Sequence, residues 1–377
     1  MLKSKIYKIS AALVLIALLT GGIWYRQLTN RHKAIVKSFV FEKLGIVDKG
    51  WKVANLSETY KMISPEFYID GIYKSMEGPK ASNYVQLSQD STVLWLTAFR
   101  VKALTAKSLQ PVSNDFICHT NIDFNDVKYY SSFHLEKRIG SQYPRLTSLS
   151  HGMENFSFPK GYGVPMKGNE LLYVTTESLN HNLPDANFWI RHEVDIQYTK
   201  AKNIKPLMSR TAFVMLPYDK SNPYKQPTDP GTNQCIPVET KNHSYDDGKD
   251  NKLSGHWVIP IGKNTYRSSI NQQLQIQDSL RLHAAAIHVH PFATAISLVD
   301  KTTDKAIFTS KVKNHIGKTG ISSIEPFSSE TGVWLYQNHD YEIVLDVNNT
   351  TTEQQDMMGS MFLFFYDKEL EAILQKN

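Results

Sequence analysis

The segment LRLHAAAIHVHPFATAISLVD, residues 280–300, carries His288 and His290 one residue apart in an otherwise apolar run. Alternate side chains of an extended strand share a face, so the two imidazoles emerge together, close enough to hold one metal ion, while Val289 turns away. The alternative is a wet sheet face whose rings bind nothing, and spacing alone leaves both readings open. A third soft donor would separate them. TTEQQDMMGSMFLFFYD, residues 351–367, supplies Met357, Met358 and Met361 where a polar loop gives way to a strand. Two neutral imidazoles and a thioether suit Cu(I), because polarizable sulfur matches the soft ion, whereas zinc prefers thiolate, imidazole or carboxylate. Met361 falls in the apolar run MFLFF and reads as a core residue.

The elements that must position these donors are strands. From about residue 65, short alternating runs such as TVLWLTAFRVKAL, NELLYVTTESL, NFWIRHEVDIQYT and RTAFVMLP are separated by Pro, Gly, Asn and Asp clusters, and no helix is expected between 65 and 215. The texture resumes at HWVIPI and runs through LRLHAAAIHVH, TAISLVD, YEIVLDVNN and MFLFFYD. The expected fold is mainly β: two tandem antiparallel, jelly-roll-like β-sandwich domains behind an N-terminal signal-anchor helix. The divisions are an anchor over 1–33, a helical lead-in over 34–64, a first sandwich over 65–217, a polar Pro/Gly/Asp-rich connector or insertion over 218–255, a second sandwich over 256–368, and a tail over 369–377, the end KELEAILQKN reading as a short polar helix or a tail. A chain of 377 residues is comfortable for two such cores.

The formal charge of +6 is local. Residues 1–33 hold Lys3, Lys5, Lys8, Arg26, Arg31 and Lys33 and no acid, which leaves 36 charges of each sign in the remainder. A nucleic-acid partner has no electrostatic support. MLKSKIYKISAALVLIALLTGGIWYRQ has a basic start followed by an apolar run of about 26 Å at roughly 1.5 Å per residue, the grammar of an export signal or short membrane span. LLTGG offers small residues for cleavage, whereas Trp24, Tyr25 and Arg26 read as an interfacial anchor after a retained span. The expectation is an uncleaved anchor with the main domains exported, periplasmic or extracellular, and a secreted protein if the signal is cut. Cys118 and Cys235 are the two cysteines; a disulfide between them or a thiolate metal ligand are both open.

Several segments, in order, resemble the copper type II, ascorbate-dependent monooxygenases, the family of peptidylglycine α-hydroxylating monooxygenase and dopamine β-monooxygenase. The likeness covers roughly residues 70 to 367. HVH at 288–290, QDM ending at Met357 and the following FLFFY resemble the family's second-domain copper motif, and HWVIPIGKN resembles the entry to that domain. FPKGYGVPMKGNELLYVTTESLNHN resembles the loop and strand that carry a first-domain histidine ligand, which the likeness places at or beside His181; VDIQYTKAKNIKPLMSRTAFVML resembles the strands that close the domain. FICHTNIDF puts Cys118 and His119 where the family has two adjacent histidines, a departure that would alter or remove the first copper site.

The resemblance implies that His288, His290 and Met357 hold an oxygen-activating copper. It implies that His119 and His181, with Cys118 as a further candidate, hold an electron-storing copper. The cofactors would be one or two copper ions with ascorbate or another reductant, and the reaction C–H hydroxylation of a small organic substrate. Peptide-hydroxylating members place an arginine two residues before the H-x-H; here Ala286 stands there, so a peptide carboxylate would lack its cation. The competing readings are a non-catalytic copper-handling protein that keeps only the His-His-Met site, and a sandwich interaction module without metal.

The remaining histidines carry less. His192 is an alternative to His181, His283 falls on the opposite strand face from His288, and His151 is a candidate for lining the space between domains. His134, His243, His256, His315 and His339 have no supporting constellation and read as surface or core. Nucleophile-elbow, P-loop, zincin and dinucleotide-binding patterns are absent, and HVHPFATAIS lacks the glutamate a cupin would place after its H-x-H.

Overall fold

Runs rich in β-branched and aromatic residues, broken by turn formers, settle as antiparallel strands because alternation lets one face of each pleat reach a core. The computed structural model describes residues 2–217 and 253–376; most of the expected 218–255 connector, with Cys235 and any disulfide it forms, lies outside the described residues. A four-stranded sheet runs in the order Lys80–Gln86, Leu171–Ser178, Ile117–Phe124, Arg145–Leu149. A long sheet covers it, passing from the hairpin Lys52–Leu56/Thr59–Ile63 through Phe188–Thr199, Val93–Thr105, Tyr162–Lys167, Lys205–Phe213, Gln355–Tyr366 and Leu280–Val289 to Phe327–Leu335. A five-stranded sheet, Gly262–Ser269, Tyr341–Asn349, Ala293–Asp300, Lys305–Asn314 and Ile321–Ile324, covers the far end of the long one. The molecule is thus a pair of β-sandwich lobes.

The two lobes share a sheet at their junction. Lys205–Phe213 pairs with Gln355–Tyr366 from Leu207↔Tyr366 to Phe213↔Ser360, and Gln355–Tyr366 pairs in turn with Leu280–Val289. Both faces of this pair are buried, so each strand feeds two cores by alternation. Phe362 and Phe364 enter the first-lobe core, while Met361, Leu363 and Phe365 enter the second. On the partner strand Ala284 and Ala286 face the first lobe, and Ala285, Ile287 and Val289 face the second.

Two expectations are corrected. The helix following the N-terminal apolar helix spans Asn30–Lys43, capped by Thr29, and does not continue over 44–64; Lys52–Leu56 and Thr59–Ile63 form a hairpin that pairs with Phe188–Thr199. The apolar spacing of 44–64 is compatible with a helix face, but Val53, Tyr60 and Ile63 are strand formers and the neighbouring sheet offers a free edge. A short helix, Asp126–Ser132, occurs within 65–215, its first turn capped by Asn125 Oδ1 accepting from Lys128 N at 3.0 Å. The tail forms the helix Lys368–Leu374, capped by Asp367, whose carboxylate also takes the Arg138 guanidinium. At the other end of the chain the helix Leu2–Gln27 includes a stretch, Tyr7–Gln27, long and apolar enough to cross a membrane, and that stretch is not buried against the fold.

Phe364 shows how tightly the lobes are joined. Fully buried, it meets Phe156 at 5.5 Å and Phe158 at 4.6 Å between ring centroids. Phe364→Ala is expected to cost roughly 3–5 kcal/mol. Because one sheet serves both cores, denaturant unfolding of the full-length variant in detergent should show one transition at lower denaturant, not selective melting of one lobe.

Candidate metal centre

Register decides which side chains meet. His288 pairs with Ser360, Val289 with Gly359, and the His290 N–H reaches Met358 O at 3.3 Å. A further strand, His256–Ile259, adds to the free side of Gln355–Tyr366 with His256 opposite Met358 and Trp257 opposite Met357. His256, His288, His290, Asp356, Met358 and Ser360 therefore share the face turned toward the first lobe. Met357 is on the other face, fully buried in the second-lobe core with Met361 and Leu363. This corrects the expected donor set: the methionine beside the two histidines is Met358.

The first lobe supplies the opposite wall. Cys118 and His119 are adjacent, and an undistorted strand would send them to opposite faces. The ladder with Leu171–Ser178 shifts register here, pairing Glu177 with His119 and Ser178 with Ile117, so that Cys118 is the extra residue of a β-bulge. Both side chains consequently reach the seam, with Cys118 Sγ 3.2 Å from His119 Nδ1. The His119 ring lies 6.1 Å from the His288 ring, and His288 lies 5.7 Å from His290, between centroids.

Two small cavities flank the H-x-H. One, about 20 Å³, is lined by Met76, His119, His288, His290 and Met358 among others; the second, about 30 Å³, by Cys118, His181, His288 and His290 together with Asp115 and His151. Each has room for one or two atoms of water size. The structure thus brings Cys118, His119, His181, His288 and His290 to one seam and leaves Met357 out. His192 is accounted for elsewhere: Nδ1 lies 2.7 Å from Thr176 Oγ1, Nε2 lies 3.3 Å from Ser178 Oγ, and its ring stands on Phe67.

A carboxylate completes the second-lobe group. Asp356 Oδ2 lies 2.8 Å from His290 Nδ1 and 3.4 Å from His256 Nε2, and these three side chains could hold one ion between them. Burial alone would raise the Asp356 carboxyl, but the imidazoles of His290 and His256 hold it well below the usual carboxylate range. In the first lobe burial pushes His119 down to about 3 and lowers His181, so both rings are neutral and have a lone pair to offer. The cavity shared by His119, His288, His290, Met76 and Met358 combines imidazole and thioether donors, a set that fits a soft copper ion.

Sequence reasoning passed over Met358 in favour of Met357, set His256 aside as surface or core, and did not single out Met76 or Asp356. A signal for the first existed: Asp356, Met358 and Ser360 occupy alternate positions, and polar residues in a doubly buried strand mark the face that leads to a site. His256 and Met76 reach the seam through strand pairing and chain reversal, which local spacing does not report.

No family model and no curated protein matches the chain. Among solved structures, the chain is similar to PNGase F, a glycosylasparaginase from Flavobacterium meningosepticum, over 82% of its length and 96% of that chain, at 9% identity and a TM-score of 0.34. It is similar to the major capsid protein P2 of bacteriophage PM2 over 82% of its length and 99% of that chain, at 12% identity and a TM-score of 0.29. Likenesses this loose speak to neither activity nor ligand.

Glu177 supplies a test of the first-lobe wall. Burial pushes its carboxyl up to about 7 against the opposing Lys80 and Arg31, and its Oε2 stands 4.0 Å from His119 Nε2. Because the folded value exceeds the ordinary 4.5, its contribution to stability is fully present below about pH 4.5 and is lost as pH rises through 7. Glu177→Gln should flatten this part of the pH dependence and be more stable than wild type at pH 8, by up to roughly 3 kcal/mol. Thermal melts of both proteins across pH 4 to 8 check it; an unchanged slope in the variant would assign the dependence to other groups.

Proposed function

We propose that the chain is a membrane-anchored copper protein of the ascorbate-dependent monooxygenase type, its lobes on the exported side of the membrane and its metal chemistry in the seam between them. The observation that carries this reading is the shared cavity of His119, His288, His290, Met76 and Met358. Copper held there would supply one-electron cycling and, with dioxygen and a reductant such as ascorbate, hydroxylation of a C–H bond in a small organic substrate.

The chain's own residues have definable parts. His288, His290 and Met358 are the second-lobe donors. Asp356 Oδ2 stands 2.8 Å from His290 Nδ1 and, with His256, is the carboxylate of the second-lobe group. Cys118, His119 and His181 are the first-lobe donors, and a thiolate from Cys118 would favour the reduced ion. Ala286 is fully buried against the first lobe, so that position offers no cation to a carboxylate substrate.

A second reading, a copper-holding protein without hydroxylase activity, is favoured by the size of the two cavities, about 20 and 30 Å³, which take an ion or a water and not an organic molecule. Two measurements on the full-length protein in detergent separate the readings. Cu(I) competition titrations should show loss of a site in His290→Ala and at least tenfold weaker binding in Met358→Ala. Met357→Ala should keep its copper and lose roughly 2–5 kcal/mol of stability. Full copper retention by His290→Ala and Met358→Ala would sink the copper reading itself. Ascorbate-dependent dioxygen uptake by the loaded wild type supports the monooxygenase; copper binding with no uptake supports the holding protein.

A further inference from the structure

A second cluster opens on the cavity that His288 and His290 also line, but draws its donors from other segments. Asp115 lies in the short 3-10 turn Asn114–Phe116, His151 follows the strand Arg145–Leu149, and His315 follows the second-lobe strand Lys305–Asn314. Asp115 Oδ1 is 2.8 Å from His151 Nε2 and 3.3 Å from His315 Nε2, and the two nitrogens are 3.0 Å apart. Ligands about 2.1 Å from a transition ion stand roughly 3.0 to 3.4 Å from one another, so these atoms already form one face of a coordination polyhedron.

We propose that Asp115, His151 and His315 form a binding site for a divalent first-row transition ion, zinc being the natural probe, that bridges the two lobes. Three independent features support it. The buried Asp115 Oδ1 accepts no hydrogen bond although two imidazole nitrogens lie against it. His151 Nδ1 stands 2.7 Å from Glu154 Oε1, which holds the ring as the Nδ1–H tautomer, so that Nε2 turns its lone pair toward Asp115 and His315 and accepts from His315 Nε2 at 3.0 Å until an ion takes its place. Lys318 pairs with the other oxygen, Asp115 Oδ2, keeping the carboxylate ionised and turned inward.

The surroundings are shaped for this arrangement. Gly320, at φ +143°, brings the chain back over the His315 ring so closely that a Cβ there would lie 3.3 Å from His315 Cδ2. Beside it the lobes are already in contact, with Ile324 N donating to Gly152 O at 2.8 Å and Asn182 bonded to the Thr319 backbone in both directions. A two-imidazole, one-carboxylate face with open positions toward the crevice matches zinc, copper(II) or iron(II) and not calcium or magnesium, which prefer oxygen. Since the donors come from both lobes, the ion would stabilise the junction as well as bind to it.

The test uses full-length protein in detergent and zinc alone. His290→Ala breaks the H-x-H but leaves Cys118, His119 and His181 in place, so the zinc effect is assigned to the cluster by its loss when a cluster residue is changed in the same background. In that background zinc should raise the melting temperature in proportion to the logarithm of its concentration, and adding His315→Ala or the isosteric Asp115→Asn should weaken zinc binding at least 100-fold and abolish the rise. The Asp115→Asn change keeps shape and provides the result should His315→Ala fold poorly. Zinc stabilisation that persists in the His290→Ala/Asp115→Asn protein, or that is absent from His290→Ala alone, overturns the proposal. Neither outcome depends on whether copper binds at the H-x-H.

Discussion

Everything in this fold depends on a strand pair buried on both sides. Leu280–Val289 and Gln355–Tyr366 lie in the middle of the long sheet, and their side chains go alternately to one lobe's core and to the other's. A pair with one solvated face could carry histidines anywhere along that face. Here each polar side chain must find a partner or a ligand in the seam, because an unsatisfied buried polar group costs on the order of 1–3 kcal/mol. His288, Asp356 and Ser360 gather at one end of the pair, beside Met358 and His290, while the buried His283 at the other end meets Ser329 O at 2.9 Å.

This constraint links stability to chemistry. The seam is closed from the first lobe by the bulge at Cys118, which turns two consecutive side chains the same way, and by the His181 loop. Donors that the family resemblance would divide between two separate domains adjoin here across His288, whose ring centroid is 6.1 Å from that of His119. The cost is paid in protonation: rings such as His119 are forced neutral, and Glu177 is driven toward the protonated form. A neutral imidazole with a free lone pair is also what a metal requires, so burial prepares the site while it burdens the fold.

The sandwich architecture and the N-terminal apolar helix were legible in the sequence because period-two alternation and an uncharged apolar run are local signals. The H-x-H was legible for the same reason. What failed had physical causes. Residues 44–64 satisfy a helical spacing and become strands because a sheet edge is available, a tertiary circumstance. Met357 was preferred to Met358 because QDM ending at Met357 resembles the family's copper motif, and a strand with two buried faces hides its own phase. His256 with Asp356, and Asp115 with His151 and His315, are assembled from segments far apart in the chain, so no spacing within a motif could have announced them.

The central claim is that copper in the seam is held by imidazole together with methionine sulfur. Extended X-ray absorption at the copper edge of selenomethionine-substituted, Cu(I)-loaded full-length protein tests it most directly, since selenium marks methionine and not Cys118. The account predicts copper–selenium scattering alongside a nitrogen shell from imidazole. A nitrogen, oxygen or cysteine-sulfur environment with no selenium neighbour would contradict it.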